Sequence, residues 1–141
     1  MTDQEGIEKI KGKLGEKDYE VEIPLMNAGK SFTARWNDEG IWVSNLGNQP
    51  LLKWAVFRTA IDLMIEKDTA RKGARILKGK AVGYTLGSPE FPLDSIEGRV
   101  AHKVFEIQPG KNTYRKISAI VGILSWAGIC TNRRGYVTFN H

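Results

Sequence analysis

The sequence holds one cysteine, Cys130, and two histidines, His102 and His141, in 141 residues. That scarcity excludes an internal disulfide and any zinc site built from four Cys or His donors within the chain. Cys130 therefore reads as a small core residue. Long apolar runs are also missing: none approaches the roughly 18 residues that a membrane span requires. The opening Met1-Thr2-Asp3-Gln4-Glu5 lacks the basic-then-apolar pattern of a secretory signal. A cytoplasmic protein with no membrane partner is expected. Catalytic signatures are equally scarce. There is no Gly-x-Ser-x-Gly elbow and no Cys–His pair with a third orienting group. The stretch Gly73 to Ala81 fails as a phosphate loop, because five residues separate its glycines and Ala81 stands where a magnesium-binding hydroxyl is needed. The expectation is a non-enzyme with no catalytic residue, no metal and no cofactor.

What is present is ordinary globular material. Apolar residues make up 41% and charged residues 26%, with no low-complexity tract, so the chain can bury a core without staples. Its length suits a single compact domain over 1–141, or two packed halves divided near residue 70. Charge divides the same way. Residues 1–70 carry nine Lys/Arg against twelve Asp/Glu, a balance of −3, whereas residues 71–141 carry twelve against four, a balance of +8. Clustered cations raise the local potential and attract phosphates, so the basic second half points to nucleic acid as partner.

Periodicity predicts an α+β fold. Ile7, Ile10 and Leu14 fall at helical spacing in Thr2 to Gly15. From Asp18 to Ile23 the pattern alternates, with Tyr19, Val21 and Ile23 on one face and Asp18, Glu20 and Glu22 on the other. Ser31 to Trp36 and Ile41 to Ser44 follow as strands across turn-forming Asn27-Ala28-Gly29-Lys30 and Asn37-Asp38-Glu39-Gly40, which makes an antiparallel meander. A strongly apolar core helix is predicted over Leu51 to Glu66, entered through Pro50. A short strand is expected near Lys80 to Leu86, with Pro89 and Pro92 in a loop. Asp94 is read as the cap of a helix bearing Ile96, Val100, Ala101, Val104 and Phe105. A second helix is predicted from Asn112 to Ala127, with Gly128 as its left-handed cap, and then strands Ile129 to Thr131 and Tyr136 to Phe139.

Two helices followed by a hairpin, over roughly residues 93–139, resemble the C-terminal part of a winged helix-turn-helix domain. Ile120, Leu124, Gly128 and Ile129, then Gly135, Tyr136, Val137 and Phe139, carry the resemblance, like a recognition helix running into a wing. In that family the second helix enters the major groove and the wing touches backbone or minor groove. The resemblance thus implies DNA contact by Lys111, Asn112, Tyr114, Arg115 and Lys116 at the start of the helix and by Arg133 and Arg134 at the hairpin tip. Arg75, Lys78 and Lys80, on a glycine-punctuated basic loop, are further candidates. The helix is unusually apolar and its preceding turn contains Pro109, so burial of the helix is the competing expectation.

Other readings stay open. The second reading is an interaction or small-ligand-binding module, forming a homo-oligomer through the apolar Ile117 to Trp126 segment or the N-terminal sheet. A metal-dependent nuclease on Asp18, Glu20 and Glu22 is the weaker alternative, since alternation already accounts for those carboxylates as a solvent face. Asp94, Glu97, His102 and Lys103 read as capping and surface groups. Trp36, Trp42, Trp54 and Trp126 sit in apolar patterns and are expected in the core.

Overall fold

The structure is a computed structural model that describes residues 1–27 and 29–141. It is α+β. Helix α1 (Asp3–Glu16) starts in a capping box, in which the Thr2 hydroxyl accepts the Glu5 amide and the Glu5 carboxylate accepts the Thr2 amide. Its stripe Ile7, Ile10 and Leu14 is buried. Gly6 lets α1 close on the core helix, since a Cβ there would meet Ile61 Cδ1 at 2.7 Å. Strands β1 (Glu20–Pro24), β2 (Ser31–Asn37), β3 (Gly40–Val43) and β4 (Leu51–Lys53) then form an antiparallel sheet in chain order. Pairing of Ile23 with Phe32 and of Ile41 with Leu52 places these four on the inner face.

Pro50 leads into β4 and not into the helix. The chain first adds a short edge strand to β3, and helix α2 (Trp54–Ala70) begins only after Lys53. Backbone pairing with β3 outweighs the local helix pattern of residues 51–53. Among the tryptophans, Trp36, Trp54 and Trp126 join the core, whereas Trp42 lies across from Arg35 and Leu51 on the outer face of the sheet. Strict alternation dictates this: Ile41 and Val43 point inward, so Trp42 cannot.

The second half is built on α2. A two-residue strand β5 (Ile76–Leu77) replaces the one expected at 80–86, where Gly79, Gly83 and Gly87 all adopt positive φ and the chain turns repeatedly. Helix α3 (Ile96–Lys103) is capped by the Ser95 hydroxyl, which accepts the Gly98 amide, while Asp94 instead binds Lys67 Nζ at 2.7 Å. Helix α4 (Ile117–Trp126) is shorter than its apolar pattern suggests, because residues 111–116 approach it without helical structure. Strands β6 (Cys130–Asn132) and β7 (Tyr136–Phe139) form the expected hairpin, and β5 pairs with β7 to give a three-stranded sheet ordered β5, β7, β6.

One cluster of buried apolar residues runs from Ile7 on α1 to Val137 on β7 and draws on both halves of the chain. A small satellite of Ala81, Leu86, Phe91 and Ala101 underlies the long loop between β5 and α3. No helix among the described residues is long and apolar enough to cross a membrane.

Candidate functional site

Glu97 organises the entrance to α4. It lies in the first turn of α3, where the close approach of chain at Gly79 and Gly98 leaves it only 1% exposed. Its amide donates to the Lys78 carbonyl at 2.9 Å, pinning the chain just after β5. Both of its carboxylate oxygens accept the Lys116 amide at 3.1 Å, so the carboxylate caps the start of α4 from a neighbouring helix. Burial pushes the carboxyl up to about 7, against the backbone hydrogen bond and charge of Lys116, which favour ionisation. Burial likewise lowers Lys116, which Glu97 partly restores. Lys116 is 5% exposed, its ammonium donating to the Tyr114 carbonyl at 3.2 Å and lying 4.5 Å from the Phe105 ring centre.

Around this hub opens a cleft of about 570 Å³ between the β1–β2 turn, the chain after β5, the start of α4 and the β6–β7 hairpin. Leu25, Ile117 and Val121 contribute apolar surface. Every charged residue lining the cleft is a cation: Lys78, Lys80, Arg115 and Arg134. None of the four forms an ion pair among the described residues. Arg115 Nη2 donates to Ser118 Oγ at 3.0 Å, which fixes one guanidinium on the cleft wall. Lys78 is held below the usual lysine range by burial, with Arg115 adding to the shift and Cys130 opposing it. Asn132 also lines the cleft; its Oδ1 is shut off from solvent and accepts no hydrogen bond among the described residues. Cys130, which opens β6, is buried, and burial, which disfavours the thiolate, pushes its thiol up to about 12 against the charge of Lys78.

The candidate residues divide. Arg115 and Arg134, with the loop residues Lys78 and Lys80, converge on the cleft. Lys111 and Asn112 are exposed on the turn before α4, and Tyr114 is 75% exposed beside them, facing the 45–49 loop rather than the cleft. Arg133 is exposed at the hairpin turn next to Arg134, outside the cleft lining. Arg75 stacks on Tyr136 with its guanidinium 4.8 Å from the ring centre. Lys116 is a correction: it serves structure at the buried cap of α4 and does not stand on an exposed helix start. Reading the sequence missed Asn132, Ser118 and the β1–β2 turn, because nothing local marks residues that long-range pairing brings together.

The helix itself is also not free. Seven residues of α4 are buried, and the N-terminal sheet crosses it so closely that a Cβ at Gly122 would sit 2.9 Å from the Phe32 ring. Among the described residues no group of three or more His, Cys, Asp or Glu stands close enough to hold a metal ion. Comparison with family models, curated proteins and solved structures found no match to this chain.

Proposed function

We propose that this is a cytoplasmic, non-enzymatic nucleic-acid-binding protein that grips the phosphate backbone in the cleft between α4 and the β6–β7 hairpin. The observation that carries the reading is the lining: among the described residues it holds four cations, no carboxylate and no ion pair. Such a surface gains free energy by displacing the counterions condensed on a polyanion. The order β5, α3, α4, β6, β7, with β5 against β7, resembles the winged-helix plan and supports the same reading. It differs in mode, because buried α4 has no face to lay in a major groove, which leaves the hairpin and the chain after β5 as the contact elements.

The test is fluorescence anisotropy with labelled oligonucleotides at two salt concentrations, on the native chain and on Arg134→Ala, Arg133→Ala and Arg115→Ala. Salt-sensitive binding is expected, weakened most by Arg134→Ala and Arg115→Ala, with the slope of log affinity against log salt falling by about one per lost phosphate contact. A flat salt response, with affinity unchanged in all three variants, would overturn the proposal in favour of an interaction module.

A further inference from the structure

We infer that the cleft takes an unpaired nucleotide, so that the preferred ligand is single-stranded nucleic acid or a duplex end with an overhang. This rests on the nucleic-acid reading above and names its ligand class.

Shape is the first argument. The four cations surround a concavity of about 570 Å³, within the few-hundred to 1,000 Å³ range of sites that enclose a small molecule. A duplex presents its bases edge-on inside grooves, and reading them takes a protruding helix or ribbon. Helix α4 cannot protrude, since Phe32 and Ile23 of the N-terminal sheet lie over Gly122.

Surface chemistry is the second. An unpaired base has two apolar faces and a polar edge, and both need partners once it leaves water. Leu25, Ile117 and Val121 supply apolar contact, and the Arg115 guanidinium, held by Ser118, is a flat cation on which a base can stack. For the polar edge there is Asn132. Its Oδ1 is shielded and has no partner among the described residues, so the carboxamide gives up no hydrogen bond of that oxygen when it turns toward a base in the cleft. A carboxamide offers both an acceptor and a donor, which suits a base edge better than it suits phosphate. Lys78, Lys80 and Arg134 then hold the flanking phosphates.

The experiment compares three labelled probes by anisotropy at one low salt concentration: an oligothymidylate, a blunt duplex of equal length, and that duplex with a single-stranded overhang. The oligothymidylate and the overhang are expected to bind at least about tenfold more tightly than the blunt duplex, the scale of one stacked base. Ser118→Phe, which fills the cleft and frees Arg115 from its hydroxyl partner while keeping the net charge, should abolish most of that preference, and Asn132→Ala should reduce it while a thermal melt confirms that each variant is folded. Equal or tighter binding of the blunt duplex overturns the inference and leaves the functional reading standing. So does a preference unchanged in a folded Ser118→Phe, or in Asn132→Ala should Ser118→Phe not fold. Failure of every probe to bind overturns both.

Discussion

Two cations of the N-terminal half, Arg35 on β2 and Lys11 on α1, are engaged. Arg35 lies 4.3 Å above the Trp42 ring and 3.7 Å from Glu20, and Lys11 sits over the rings of Trp36 and Trp54 at 5.7 and 5.0 Å. In the cleft Lys78, Lys80, Arg115 and Arg134 pair with no carboxylate among the described residues, although Lys80 lies 5.4 Å from the Tyr84 ring centre and Arg115 binds Ser118. The basic half is not uniformly available either: Arg99 on α3 pairs with Glu66 on α2, and Lys116 is buried where the Glu97 carboxylate caps α4. Charge counted along the chain therefore overstates what a partner meets. What matters is which of the cations without an ion pair the fold gathers in one place, and the four that line the cleft come from three separate segments.

The strongest way to break the comparison is to damage each half's backbone. A Cβ at Gly40 would meet the Leu52 carbonyl oxygen, and one at Gly98 the Pro92 carbonyl oxygen, at 2.0 and 1.9 Å. Neither backbone atom can swing aside, so Gly40→Ala and Gly98→Ala should each cost at least about 3 kcal/mol in urea unfolding. Because one core spans both halves, each variant should shift a single common transition; two separable transitions would show the halves to be independent.

Next in size is the pH dependence set by Glu97. Its folded value, about 7, lies above the ordinary 4.5, so the folded state holds its proton longer than the unfolded one. Stability from this group is complete below about 4.5 and is lost as pH rises to about 7, by roughly 3 kcal/mol. Glu97→Gln should flatten that descent in denaturation midpoints taken across the window. Asp94 runs the other way. The Lys67 hydrogen bond lowers it, so its contribution stands at neutral pH and fades only in acid; Asp94→Asn should leave the Glu97 slope intact.

A smaller effect sharpens the contrast between engaged and unanswered cations. Arg134→Ala should weaken oligonucleotide binding about tenfold with little change in stability, whereas Arg35→Ala should leave binding unchanged and cost at most about 1 kcal/mol, the scale of an exposed ion pair with a stacked ring. Equal binding losses in the two variants would mean that net charge, not the cleft, attracts the ligand. Smallest is Thr2→Ala, which removes the capping box of α1 at about 1 kcal/mol and should not affect binding.

Much of the fold is legible in the sequence. Alternation in 20–23, 31–36 and 41–43 identifies the meander and its inner face, and helical spacing identifies α1, α2 and α4 as buried elements; Asp18 and Tyr19, read as the start of the first strand with Tyr19 on its apolar face, instead turn at positive φ, and Tyr19 is exposed. Three of the misreadings share a cause. Residues 51–53 became a strand because β3 offered an edge, and Ser95 displaced Asp94 as cap because Lys67 on α2 holds the carboxylate. Residues 111–116 stayed out of the helix, with the Lys116 amide held by a glutamate 19 positions earlier. Each partner is distant along the chain, so no local window contains it.

The sequence by itself determined the class of this protein and the half that carries excess positive charge, because periodicity and composition are local properties written residue by residue. Only the tertiary structure decided which cations gather in one cleft, that α4 is covered and that Asn132 borders that cleft. Those outcomes depend on which segments meet, and the meeting is set by the shared core from Ile7 to Val137.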